Sequence, residues 1–147
     1  MEFNELIADF AKRHSVENLA AEEGTAALDI DGIVTTLVES GEEMTISAEI
    51  GEAPAEGKAA FADLLLAANL ESPAFFAKTQ ESDQYVLVQR LQLAGIDGEA
   101  FDLTLEDFVN RVETWRKLIV DYRPVAEAAA EQESQDVSFS LPGFMQV

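Results

Sequence analysis

The side chains able to do chemistry in this chain are carboxylates: Asp and Glu number 29 against 9 Lys and Arg, with one histidine and no cysteine. The most suggestive arrangement is Ala27-Leu28-Asp29-Ile30-Asp31-Gly32-Ile33-Val34, where two aspartates one residue apart precede a glycine. That spacing opens either a calcium loop or a hairpin turn. An EF-hand loop needs oxygen ligands at its first, third and fifth positions, glycine at the sixth and glutamate at the twelfth. Counted from Asp29, the fifth position is Ile33, the twelfth is Ser40, and Gly32 falls at the fourth. A second acidic segment beginning at Asp97 places Phe101 fifth, Asp102 sixth and Phe108 twelfth. Neither pattern holds calcium, so no metal ligand is assigned.

Other chemistries are equally short of parts. The chain has no phosphate loop, dinucleotide fingerprint or nucleophile elbow. A lone His14 excludes a Ser-His-Asp triad and a histidine-rich metal site; it fits the end of a helix, where a cation suits the dipole. No two acids are set in an apolar pattern that would raise one pKa for paired-acid hydrolysis. The chain is therefore expected not to be an enzyme, with no catalytic residue and no cofactor. A formal net charge of −20 repels phosphate, which argues against nucleic acid and anionic membrane surfaces and favours a basic or hydrophobic partner. Without cysteine there is no disulfide. The start, MEFNELIADFAKRHS, lacks the basic and apolar regions of an export signal, and no apolar run approaches bilayer length, so a cytoplasmic protein is expected.

The elements that position these residues follow from periodicity. Phe3, Leu6, Ile7, Phe10 and Ala11 recur at helical spacing, with acids early and bases late. If Asp31-Gly32 is a two-residue hairpin turn, Ile30 faces Ile33 and Leu28 faces Thr35, which puts Leu28, Ile30, Ile33, Thr35 and Leu37 on one face. Ser40-Gly41 turns into a third strand in which Met44, Ile46, Ala48 and Ile50 alternate with polar residues. Pro54 and its flanking glycines end that sheet segment. In the next helix Phe61, Leu64, Leu65 and Ala68 form one stripe, while Ala59, Ala62, Leu66 and Leu70 lie beside it; a helix apolar on two sides suits a subunit interface. A short apolar piece with Phe75 and Phe76 follows, then a strand with Tyr85, Leu87, Gln89, Leu91 and Leu93 on one side. The last helix is expected to open at Thr104 with Asp107 as an approximate capping box, packing Leu105, Phe108, Val109, Val112, Trp115, Ile119 and Tyr122 on the sheet.

This order predicts an α+β single domain, helix-three strands-helix-two strands-helix, with an antiparallel twisted sheet and helices packed on it. It spans 1–130. Residues 131–147 form a C-terminal tail, either disordered or docked, whose Phe139, Leu141, Phe144 and Met145 have no helical neighbour to join. Pro124 kinks or restarts the helix before the tail.

The same order, carried by LIADFAKRH, AALDIDGIVTTLV, MTISAEIGEAP, FADLLLAANL, YVLVQRLQL and LEDFVNRVETWRKLI, resembles the type III secretion effector chaperones, the Tir-chaperone-like family, over residues 1–123. Its most specific part is LLLAAN, ending in Asn69. The resemblance implies a cytosolic homodimer that binds the N-terminal segment of a secreted effector and keeps it export-competent for type III secretion in a Gram-negative bacterium. It assigns Leu66, Leu70, Phe75 and Phe76 to the dimer interface. Client binding falls to Leu6, Phe10, Val34, Thr36, Ile46 and Ala48, with ordinary core membership the alternative for Leu6, Phe10 and Ile46. A tail lying in the client groove would mimic a client and compete with it. Two rivals remain: a binding or regulatory protein of the same fold that serves no secretion system, and a small-ligand-binding protein or enzyme, which needs an enclosed pocket with converging polar groups.

Overall fold

A computed structural model of the chain describes residues 2–78 and 80–122. The tail at 131–147 and Pro124 lie outside the described residues. The elements run α1 (Phe3–Arg13), β1 (Thr25–Ile30), β2 (Ile33–Ser40), β3 (Glu43–Glu52), α2 (Lys58–Ala68), β4 (Ala74–Lys78), β5 (Gln84–Gln92) and α3 (Gly98–Asp121). This is the expected α+β order. The five strands form one antiparallel sheet in the order β1-β2-β3-β5-β4, which leaves β1 and β4 as its edges.

Local chemistry sets the meander. Asp31 and Gly32 both take positive φ, 53° and 85°, the combination a two-residue turn of the right twist requires. The Asp29 carboxylate steadies it by accepting from the Gly32 N–H at 2.9 Å. The register follows as the turn dictates, Ile30 opposite Ile33 and Leu28 opposite Thr35. Burial then alternates along every long strand, so the sheet has one dry face and one wet one.

The dry face carries Leu28, Ile33, Leu37, Met44, Ile46, Ile50 and Leu87, which join Phe3, Leu6 and Ile7 of α1, Phe61 and Leu65 of α2, and Phe101, Phe108 and Val112 of α3 in one core. Each such side chain stabilises the fold by about 1.5–3 kcal/mol on burial. Three contacts fix the helices. Phe10 meets the edge of Phe101, joining α1 to α3. Phe61 lies edge-on to Tyr85 and Tyr122, seating α2 between β5 and the end of α3. Ile119 packs over Gly51, where an added Cβ would stand 3.2 Å from the isoleucine and φ is 136°; glycine at this bulge in β3 lets α3 sit close.

Two sequence expectations need correction. Helix α3 begins at Gly98, six positions before Thr104, and its cap is Asp97, whose side chain accepts from the Ala100 N–H at 2.8 Å. Thr104 and Asp107 lie within the helix. In α2, Leu64 does not share the buried stripe of Phe61 and Leu65 but stands exposed.

Candidate functional site

The two edges of the sheet differ in how their backbone groups are used. Along β1 the hydrogen-bonded pairs with β2 alternate, and Thr25 points away from β2, exchanging bonds with Glu22 at 2.9 and 3.0 Å. By the same alternation Ala27 and Asp29 direct their N–H and C=O groups outward. These groups have no partner among the described residues. At the turn end of this edge, where Ile30 and Asp31 meet α1 and α3, lies a groove of about 350 Å³ lined by Phe10, His14, Ile30, Asp31, Asp102, Leu105, Glu106, Val109 and Asn110. Its floor is apolar, supplied by the edges of Phe10, Ile30, Leu105 and Val109, and its rim is acidic.

A polar clasp holds the groove's far wall. Arg13 at the end of α1 donates to Asp9 from Nε at 2.7 Å, to Asp102 from both terminal nitrogens, and to the Gly98 carbonyl at 3.3 Å. His14 Nε2 lies 3.0 Å from Asp102 Oδ2. The Arg13 guanidinium, and less so His14, holds the Asp102 carboxyl below the usual carboxylate range against a desolvation that works the other way. Gly98 gives the clasp room. A Cβ would come within 2.5 Å of the Asp9 carboxylate and 2.7 Å of the Arg13 guanidinium.

At the opposite edge, β4 is closed by its own chain. Asn69 Oδ1 accepts from the Phe76 N–H at 2.8 Å and Ser72 Oγ from the Ala74 N–H at 3.2 Å. What β4 and α2 offer outward is side chains. Leu66 is 66% and Leu70 88% exposed, while Phe75 and Phe76 are half-buried. Phe76 lies edge-on to Trp115 with ring centres 4.6 Å apart, beside an open groove of about 460 Å³ between β4 and α3. Arg90 stands over Phe75 at 5.3 Å.

A third groove, about 500 Å³, lies on the wet face. The pairing of β2 with β3 ends at Thr36 opposite Ser47, and beyond that point Arg116 of α3 donates to the Glu49 carbonyl from Nε at 3.0 Å and Nη2 at 2.8 Å.

The residues expected to bind a client divide among these places. Val34 and Thr36 line the wet-face groove, and Ala48 reaches it from the dry side of β3, where it is a core residue 5% exposed. Phe10 reaches the β1 groove. Leu6 and Ile46, each 0% exposed, lie wholly within the core. Sequence periodicity did not single out Ile30, Leu105 and Val109 as groove residues, nor the outward amides of Ala27 and Asp29. The latter were implicit in the hairpin, because the turn fixes which residues of β1 point away from β2. Asn69 was singled out within LLLAAN, and its place as the cap on β4 explains why an asparagine ends that run. Among the described residues no cluster of acids and histidine is arranged to hold a metal, and no helix is long and apolar enough to cross a membrane.

Comparison with known proteins sets this arrangement in context. The sequence profile of the Tir chaperone protein (CesT) family matches residues 5–116. A chain of the ExsC–ExsE complex superimposes with TM-score 0.70 at 23% identity, over 81% of this chain and 97% of that one. A chain of the Yersinia pestis complex between the type III secretion chaperone SycH and a stable fragment of YscM2 gives 0.62 at 23% identity, over 78% and 99%. YbjN from E. coli, a candidate transcription regulator, gives 0.51 at 19% identity, over 87% and 92%. At these identities the likenesses establish a shared fold. No curated protein sequence matches the chain.

Proposed function

The chain belongs to the Tir chaperone protein (CesT) family, and from that membership we propose that it is a cytosolic chaperone that binds the extended N-terminal segment of a secreted effector and keeps it export-competent for type III secretion. The observation that carries this reading is the β1 edge, whose outward Ala27 and Asp29 groups have no partner among the described residues, with a partly apolar groove at its turn end. An extended segment pairs its backbone with Ala27 and Asp29, and alternate side chains enter the groove over Phe10, Ile30, Leu105 and Val109. The client stays unfolded because a strand borrowed by this sheet is not available to its own. Val34 and Thr36, with Ala48 at the bottom of their groove, extend the contact onto the wet face, and the acidic rim favours clients with basic side chains at the exposed positions.

The chaperone works as a homodimer, joined through Leu66 of α2 and Leu70 of the turn that follows it, with Phe75 and Phe76 of β4. Two leucines this exposed at one end of α2 and in the turn after it are costly in water and inexpensive against a copy of themselves. Neither nucleotide nor metal enters the mechanism, and no bond is made or broken.

The experiment is affinity capture from the native cell with the wild-type chain and with Ile30→Asp, followed by identification of the bound protein and light scattering. The expected result is one secreted protein retained through its first segment by the wild type and lost by the variant, with a particle of twice the 16.0 kDa chain mass. A monomer that retains no protein refutes the proposal. The likeness to YbjN supports one alternative, a regulatory protein of the same fold. That alternative predicts a captured partner that is not exported.

A further inference from the structure

We propose that Arg116 is a positioning residue that holds β2 and β3 apart beyond Thr36 and Ser47, and that the main chain of Val34, freed by this fork, is a seat for an extended peptide segment. That the segment belongs to a secreted effector rests on the chaperone reading; the fork and its seat do not.

The register locates the fork. Ser40 pairs with Glu43, Val38 with Thr45 and Thr36 with Ser47, so the next partner in line for Val34 is Glu49. That pair is not made. The Glu49 carbonyl accepts instead from Arg116, from Nε at 3.0 Å and from Nη2 at 2.8 Å. By the alternation that turns the main chain of Thr35 toward Leu28 of β1, Val34 directs its N–H and C=O toward β3. There they have no partner among the described residues. On an inner strand of the sheet, such a donor and acceptor are met by water or by an incoming chain.

The helix explains why the pair stays open. Val109, Val112, Arg116 and Ile119 follow one another at helical spacing along one face of α3. Val109 lines the groove at the hairpin tip with Ile30 and Asp31, Val112 is in the core, and Ile119 packs over Gly51. An arginine in that apolar row is out of pattern. Its side chain leaves a helix on the dry side of the sheet yet lines the wet-face groove with Gly32, Val34 and Val86, so it passes through the opening between the strands. Two nitrogens of one planar guanidinium then occupy the single carbonyl that Val34 needs. The register shift in β3 between Glu49 and Gly51 bends the strand at the same point.

The seat fits one class of occupant. A donor and an acceptor side by side on one strand residue match the acceptor and donor of one residue in another strand. Val34 is 56% exposed and the groove beside it measures about 500 Å³, room for a short extended stretch rather than a folded partner. Val34, Thr36 and Val86 wall it with β-branched side chains, and Glu49 adds an acid that favours a basic residue in the occupant.

The test compares the full-length wild type with the full-length Arg116→Met chain by amide hydrogen exchange. With the Glu49 carbonyl released the fork closes, and exchange at Val34 is expected to be at least tenfold slower in the variant, while Ile46 and Leu87 in the core strands keep their rates. Should methionine disturb those core rates, Arg116→Lys, which keeps the charge and loses the two-nitrogen grip, reads the same amide. A Val34 rate that is equal or faster with the core rates intact overturns the fork. In parallel, a fluorescent Lys-Val-Thr-Val-Thr-Val-Lys peptide is expected to slow Val34 exchange in the wild type and to bind Arg116→Met at least tenfold more weakly. N-methylation of its central valine, which removes a main-chain donor, is expected to abolish that binding. Equal binding by the two chains, or by the methylated peptide, overturns the seat. So does protection at Ala27 and Asp29 alone, which places the peptide on the β1 edge. No secreted protein enters either measurement, so this test and the chaperone test fail independently.

Discussion

The two edges of one sheet face the same solvent with opposite equipment. Edge β4 spends the amides of Ala74 and Phe76 on Ser72 and Asn69 and, with the neighbouring α2 and its following turn, presents phenylalanine and leucine side chains; edge β1 leaves the outward groups of Ala27 and Asp29 without a partner among the described residues, with a groove at its turn end. An edge is a template for any passing strand, and capping one while leaving the other bare separates two kinds of association within a small domain. Side-chain burial suits a permanent partner of fixed shape. Main-chain pairing suits partners of many sequences, since every peptide carries the same donors and acceptors.

This contrast is open to attack at either side. The largest effect is expected from Leu66→Asp/Leu70→Asp. Four leucines per dimer at roughly 1.5 kcal/mol each, discounted for partial burial, weaken self-association by about a thousandfold or more. Sedimentation equilibrium measures it, and unchanged Ala27 and Asp29 exchange rates would show that the two edges act separately. Next is Asn69→Leu, which strands the Phe76 amide and costs about 1–2 kcal/mol of stability. It also gives β4 the character of β1. A lower thermal midpoint with new, salt-insensitive aggregation is the expected outcome, and a monodisperse variant of unchanged midpoint would mean that the cap does not matter. Ala27→Pro removes one outward N–H without touching the ladder to β2, a position where proline is tolerated. Client binding should weaken about three- to tenfold, the worth of one hydrogen bond, with dimer mass unaltered.

The smallest effect concerns the clasp behind the groove. The folded-state pKa of Asp102 is lowered, so its contribution is complete above the unfolded value near about 4 and is lost as pH falls through the folded one. Asp102→Asn should therefore be slightly less stable than wild type at pH 7 and indistinguishable from it once both are acidified. Urea unfolding at the two pH values checks the sign; a difference that widens in acid would reverse the assignment.

What the sequence disclosed depended on how local its cause was. The Asp31-Gly32 turn is complete within four residues, and the register of β1 on β2 followed from it without error. The alternation in β3 was equally local. The start of α3 was missed because Asp97 is followed by Gly98, a poor helix former, and the conspicuous apolar run begins only with Leu103. Asp9 and Arg13, far away in sequence, lie against Gly98. Periodicity placed Leu6 and Ile46 on the apolar side of their elements, yet it does not tell whether another element covers that side; here both are sealed in the core. Conversely, the segment around α2 is too apolar for one buried stripe, and Leu66 and Leu70 are the residues it leaves exposed. The closure of β4 by Asn69 joins residues from a helix end and an edge strand, so the motif was visible and its work was not.

Helix α3 contributes Leu105 to the β1 groove and Trp115 to the side of Phe76, a separation of about 15 Å along one unbroken rod. It acts as a ruler. Whatever joins two copies at the Phe76 side also sets a constant distance between their grooves, so a polypeptide long enough to reach both would be gripped twice, and its second landing would take place at the high effective concentration that a short tether confers.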